Sequence, residues 1–163
     1  MKDVVIVHVA VPRFLKNWLE HTFGDPVALP PRCYENLLLS KLLRPRPRNA
    51  SRYSPKAQGV DVVIPDNRLR KPAIYNYLSP NAQDIFAQAL DNLFRLALWS
   101  CCAKYIFHPR QTINETIEDW CRSNGIEHPS RDTVRKKFYR MRHSYQTNGF
   151  VVGKTYGKTS TKG

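Results

Sequence analysis

Apolar residues recur at two different spacings along the chain, and these spacings separate strand-like from helix-like segments. Val4 to Val11 is rich in β-branched residues and predicts a buried strand, and Val60 to Pro65 predicts a second short strand that pairs with it. Pro12 to Phe23 has apolar residues at helical spacing and is followed by Gly24, which predicts a helix that stops there. Cys33 to Leu43 predicts another helix, with an apolar side formed by Tyr34, Leu37, Leu38 and Leu42.

The second half of the chain opens on a strong helix start. Ser79 and Pro80 are typical of an N-cap residue followed by the first helical residue, and a broad apolar stripe then continues to about Phe107. A stripe of this width predicts a long central helix in the core. It comprises Ile85, Phe86, Ala89, Leu90, Leu93, Phe94, Ala97, Leu98, Cys101 and Cys102.

Residues 112–147 predict two further helices joined by a turn. The first has apolar residues at helical spacing, and Gly125 lies where a left-handed residue is expected to end it. Ser130 is expected to be the N-cap of the second helix, and Trp120 is expected to pack beneath that helix, near Val134 and Phe138. The two apolar stripes are Ile113, Ile117 and Trp120, and then Val134, Phe138, Met141 and Tyr145.

Charge divides sharply at this turn. From Thr112 to Ser130 one arginine faces four acids, whereas from Arg131 to Gly163 nine lysines and arginines face one aspartate. The whole chain has a formal net charge of +13, which favours an anionic partner, most often a nucleic acid. We expect no membrane partner, because the narrow apolar stripe of the basic helix is needed for a core.

The pattern Cys121-x-x-x-Gly125-Ile126, followed by Thr133-Val134-Arg135, resembles helix-turn-helix DNA-binding domains. In that family a small residue, a turn glycine and an apolar residue precede a recognition helix that opens with Thr-Val-x-Arg/Lys. The turn here is about two residues longer than is usual in the family, with Pro129 inside it, which leaves winged or looser variants open. The resemblance implies duplex DNA as partner and residues 130–147 as the recognition helix. Small basic proteins of phages and mobile elements often have this general make-up.

The resemblance and a helical wheel together predict the contact residues. Base edges are expected to be reached by Arg131, Asp132, Arg135 and Lys136. Phosphates are expected to be contacted by Ser130, Lys137, Arg140 and Arg142. Two basic segments outside the helix are candidates for sequence-independent contacts, although each could equally be a solvated linker or tail. Their residues are Arg44, Arg46 and Arg48 in a Pro-rich extended arm (44–58), and Lys154 and Lys158 in a wing hairpin or flexible tail (150–163).

Two other binding functions remain open. RNA binding would use aromatic residues interleaved with basic ones, as in Arg52-Tyr53 and in Arg70 to Tyr77. Alternatively, the basic face could dock on an acidic protein, in a homodimer or a larger nucleoprotein complex. A tyrosine-dependent or metal-dependent DNA-processing enzyme is a minority interpretation, because the candidate tyrosines share one helix with their arginines, so we assign no catalytic residue.

The cysteines and histidines predict neither a cofactor nor a metal site. The four cysteines form no C-x-x-C pair, and the five histidines complete no zinc-binding spacing. Cysteines in a chain long enough to form a core are typical of reduced, buried thiols, so we expect a cytoplasmic protein.

These segments together predict a mostly α (α+β) fold. We expect an N-terminal strand-plus-helix part over residues 1–78, the central helix with the helix-turn-helix over residues 79–149, and the wing or tail over residues 150–163.

Overall fold

The computed structural model describes residues 3–50 and 58–149 of the chain. The fold is mostly α-helical (α+β) with a long central helix, as the sequence predicts. The helices of the described residues are α1 (Arg13–Phe23), α2 (Tyr34–Leu42), α3 (Pro80–Cys102), α4 (Ile113–Ser123) and α5 (His128–Thr147). The strands are β1 (Ile6–Ala10), β2 (Arg44–Pro45), β3 (Gly59–Val63) and β4 (Tyr75–Tyr77).

The four strands form two small antiparallel pairs. β1 pairs with β3 as predicted, and the register sets Val7 opposite Val62 and Val9 opposite Val60 on the buried side. β2 pairs with β4, which corrects the prediction of a free arm beginning at residue 44. Pro45 is tolerated there because a two-stranded sheet has only edge strands, where a missing donor can face solvent. Residues 51–57 of the predicted arm lie outside the described residues.

α3 begins where the sequence predicts and ends earlier. The Ser79 hydroxyl accepts a hydrogen bond from the Ala82 amide at 3.2 Å, and Pro80 occupies the first turn. The helix ends at Cys102 instead of near Phe107, because the backbone changes to the tighter hydrogen bonds of a 3₁₀ turn over Ala103–Tyr105. Its buried face is also narrower than predicted, since Ile85 and Cys101 are exposed.

Periodicity predicts the buried face of α2 only in part, since Leu38 and Leu42 pack against the core as predicted. Tyr34 and Leu37 are 68% and 51% exposed, whereas Asn36 and Leu39 are buried. The Asn36 side-chain amide donates to the carbonyl oxygens of Leu29 at 3.5 Å and Pro30 at 3.4 Å. Asn36 is therefore buried because the loop before α2 supplies carbonyl acceptors for its amide. A pattern that counts asparagine as solvent-facing shifts the predicted buried face of the helix.

Phe94 on α3 lies at the centre of the core. Its ring centroid is 5.0 Å from that of Phe14, 5.4 Å from that of Trp18 and 5.6 Å from that of Trp120. Trp120 therefore packs on Phe94 of α3, while Trp99, also on α3, stacks on Phe138 at 5.3 Å. The core cluster against which Trp120 packs includes Val134 and Phe138. The buried side chains form one cluster to which both sides of residue 78 contribute.

Candidate nucleic-acid interface

α4 is defined at both ends by local hydrogen bonds. At its start Thr112 and Glu115 form a reciprocal capping box. At its end the Ile126 amide donates to the Cys121 carbonyl at 3.0 Å and the Gly125 amide to the Arg122 carbonyl at 3.4 Å, which is the Schellman pattern. Gly125 has a φ of +70°, so the predicted left-handed residue is confirmed.

α5 begins at His128, so its N-cap lies three residues before the predicted one. Its N-cap is Glu127 and Pro129 lies in its first turn, so Ser130 is inside the helix, buried, and is not the N-cap. The turn between the helices is consequently residues 124–127, a four-residue turn instead of the longer one predicted. Proline is well tolerated in the first helical turn, because the N–H that it lacks would have no intrahelical partner there. Pro129 is therefore a helix residue and not the turn residue that the sequence predicts.

The N-terminal helix α1 holds the turn in place. A Cβ atom at Gly125 would lie only 3.0 Å from His21 Nδ1, so the turn packs directly on the end of α1. Arg13 at the start of α1 forms an ion pair of 2.6 Å with Glu127, the N-cap of α5. α5 is therefore supported by α1 as well as by α3 and α4.

Only some of the predicted base-edge residues face solvent. Arg131 is largely buried: its Nε donates to the Ile126 carbonyl at 3.1 Å and its Nη1 pairs with Glu118 on α4. Arg135 and Lys136 are 47% and 64% exposed, and both pair with the exposed Asp132. The hydrogen bond from Lys136, reinforced by Arg135, holds the pKa of the Asp132 carboxyl below its usual value.

The predicted phosphate contacts also include both buried and exposed side chains. Ser130 is buried, and Lys137 is only 17% exposed, with its Nζ 3.0 Å from Asp91 Oδ1 on α3 and 5.4 Å from the Phe14 ring centroid. Arg142 is partly buried. Arg140 is exposed, and its guanidinium has no hydrogen-bond or ion-pair partner among the described residues.

The arm and the tail are separate from this helix. Arg44 donates from Nη1 to the carbonyl oxygens of Lys41 at 2.7 Å and Leu43 at 3.1 Å, so it satisfies the C-terminal end of α2. Arg46 and Arg48 are exposed on the segment that follows β2. The predicted wing hairpin and the tail residues Lys154 and Lys158 lie outside the described residues.

Two residues of α3 that the sequence analysis did not single out take part in the surroundings of α5. The carboxylate of Asp91 bridges Arg95 Nε at 2.8 Å and Lys137 Nζ at 3.0 Å. The spacing of Asp91 and Arg95 indicates only an ordinary i,i+4 pair on one helix. The sequence of α5 does contain a pattern that could have indicated this side of the helix. Polar residues recur there at helical spacing directly beside the apolar stripe: Thr133, Lys137, Arg140 and Ser144.

The tyrosine, acidic and thiol side chains that bear on the minority enzyme interpretation have defined surroundings. The Tyr139 hydroxyl donates to Asn114 Oδ1 at 2.6 Å, and the Tyr145 ring stacks on Trp99 at 4.6 Å. In residues 3–50 and 58–149 no group of three or more His, Cys, Asp or Glu side chains is placed to hold a metal ion. Burial raises the pKa of the Cys102 and Cys121 thiols to about 12, which makes both poor nucleophiles near neutral pH.

Comparison with known proteins adds no relative. No protein-family model, curated protein or solved structure matches the chain. Across the described part of the chain there is no helix long and apolar enough to cross a membrane.

Proposed function

We propose that the protein binds duplex DNA and that the exposed face of α5 lies in the major groove. The observation that carries this proposal is the pair Lys136 and Arg140, which are exposed one turn apart on a helix that α1, α3 and α4 support from behind. The major groove of B-DNA admits an α-helix, and cations on the outer face of such a helix can reach phosphates and base edges.

The charge distribution favours phosphate contacts over base reading. Arg135 and Lys136 share the carboxylate of Asp132, so they act as a group with one net positive charge. Arg140 adds a charge that no described acid neutralises. Affinity should therefore come mainly from the sequence-independent attraction to phosphates, and any base preference should depend on Arg135 or Lys136 exchanging Asp132 for a base edge.

The RNA alternative has less support among the described residues. It depends on aromatic rings that remain open to stack with bases. Arg70, in the segment that suggested this function, donates to the Ser40 carbonyl at 2.8 Å, and its guanidinium lies 5.4 Å from the centroid of the Tyr75 ring. Arg70 and the Tyr75 ring of that segment thus already have contacts within the protein.

A competition experiment tests the proposal. A fluorescent duplex bound to the protein is titrated with unlabelled duplex and with single-stranded RNA of the same sequence, and fluorescence anisotropy is recorded. We expect the duplex to compete more effectively. Better competition by RNA would support the RNA alternative, and no binding of either nucleic acid would leave the protein-interaction alternative.

A pair of charge-matched variants tests the assignment to α5. Lys136→Ala/Arg140→Ala should weaken duplex binding roughly tenfold near 0.1 M salt, because about two phosphate contacts are lost. The control Lys41→Ala/Arg68→Ala removes the same charge from exposed positions outside α5 and should have a much smaller effect. Equal losses in the two variants would mean that only net charge matters and that α5 is not the interface.

A further inference from the structure

A groove of about 330 Å³ runs between α3 and α5. α3 contributes Arg95, and α5 contributes the polar row beside its apolar stripe. The residues that line the groove are Arg95, Thr133, Lys137, Arg140, Met141, Ser144 and Tyr145. Three of the seven are cations and none is a carboxylate, so the groove is suited to an anion.

Several hydrogen-bond donors in this groove are unused within the described part of the chain. Asp91 accepts a hydrogen bond from Arg95 Nε alone, so among the described residues neither Nη atom of Arg95 has a partner, and the Arg140 guanidinium has none there either. The hydroxyl groups of Thr133 and Ser144 likewise make no hydrogen bond to described residues. Arginine forks and hydroxyl groups are among the side chains that most often bind phosphate oxygens.

The opposite flank of α5 has the reverse character. There the cavity between α4 and α5 is lined by three carboxylates, those of Glu115, Glu118 and Asp132, and by two arginines that already pair with two of these acids. A phosphate would be repelled from this flank and attracted to the flank that faces α3. The two sides of the same helix are therefore electrostatically distinct.

We infer that the groove between α3 and α5 is a binding site for the backbone phosphates of DNA, with Arg95 and Arg140 as the principal ligands and the hydroxyl groups of Thr133 and Ser144 as additional donors. This inference rests on the proposed function and specifies which flank of α5 follows the sugar–phosphate backbone. Asp91 is a positioning residue in this site, because it orients Arg95 and Lys137 without facing the ligand itself.

The test compares two exposed arginines that each pair with an aspartate on their own helix. Arg95→Ala removes a cation from the groove, whereas Arg122→Ala removes one from α4, where Arg122 lies 3.3 Å from Asp119. Duplex affinity is measured by fluorescence anisotropy from about 50 to 200 mM salt, with folding checked by circular dichroism. Arg95→Ala should weaken binding roughly threefold or more and lower the magnitude of the salt slope by about 1, whereas Arg122→Ala should leave both unchanged.

A second variant keeps the test decisive if the loss of one arginine changes duplex affinity only slightly. Ser144→Asp places a carboxylate in the groove at an exposed helical position and should weaken duplex binding more than Arg95→Ala does. If the wild-type protein binds duplex and both groove variants behave like Arg122→Ala, the groove is not a phosphate site and the proposal for α5 still stands. If the wild-type protein does not bind duplex at all, the proposed function fails and the groove site fails with it.

Discussion

Asp132 is the one acidic side chain on the exposed basic face of α5. It accepts hydrogen bonds from Arg135 and from Lys136, the latter at 2.9 Å, and thereby occupies two of the cations best placed to meet DNA. A carboxylate at this position also repels phosphate directly. We therefore interpret Asp132 as a residue that limits sequence-independent binding.

Replacing Asp132 should strengthen binding. Asp132→Asn removes the repulsion and releases Arg135 and Lys136, so affinity for random duplex should rise roughly three- to tenfold near 0.1 M salt. The control is Asp119→Asn, which makes the same change in charge on α4, at the carboxylate that pairs with Arg122. Affinities from anisotropy titrations decide the matter. Weaker binding by Asp132→Asn would indicate instead that the carboxylate contacts a base, such as the amino group of cytosine.

At the scale of the elements, the turn between α4 and α5 determines how the basic helix is presented. Gly125 has a positive φ, and it must lack a side chain because a Cβ there would lie 3.0 Å from His21 Nδ1. The first requirement could be predicted from sequence, because glycine followed by an apolar residue at the end of a helical pattern is a local signal. The second could not, since His21 lies on a distant helix.

Two glycines allow these requirements to be separated. Gly125 and Gly149 have φ angles of +70° and +79°, but a Cβ at Gly149 would meet no atom of residues 3–50 or 58–149 within 4 Å. Gly149→Ala should therefore lower the free energy of unfolding by about 1 kcal/mol, through backbone strain alone. Gly125→Ala should lower it by about 2–4 kcal/mol, because the collision with His21 is added. Urea denaturation measures both, and equal values would mean that the turn does not pack on α1.

The same distinction between local and distant partners explains which predictions about helix faces hold. Helix positions follow from periodicity within one segment, so α1, α3, α4 and most of α5 could be predicted. The sequence predicts Arg131 and Lys137 in the interface, because a helical wheel places them beside the apolar stripe. Their acidic partners Glu118 and Asp91 lie on other helices, and no pattern within α5 reveals them.

At the scale of the whole molecule, the described residues share one core. Phe94 joins rings from α1 and α4, so the N-terminal part and the helix pair contact the same side chain of α3. The stability of the proposed interface should consequently depend on the N-terminal part. This packing does not favour a division at residue 78 into two units that fold independently.

A core variant tests this view. Phe94→Ala should lower the free energy of unfolding by about 3–5 kcal/mol, since a fully buried aromatic ring is lost. Phe107→Ala, at a side chain that is 66% exposed, is the control and should change it little. In wild-type protein, urea transitions followed by tryptophan fluorescence and by far-UV circular dichroism should coincide. Two separated transitions would instead show that the parts unfold independently.

The salt dependence of duplex binding tests the central claim most directly, because it counts the phosphates that the protein neutralises. Arg95 and Arg140 contribute one positive charge each, and Arg135 and Lys136 together contribute one beside Asp132. The slope of log K against log salt for the wild-type protein should therefore be about −3 or steeper. Lys136→Ala/Arg140→Ala should reduce its magnitude by about 2, and Lys41→Ala/Arg68→Ala should leave it nearly unchanged. A wild-type slope near zero, or equal slopes for the two double variants, would contradict DNA binding through α5.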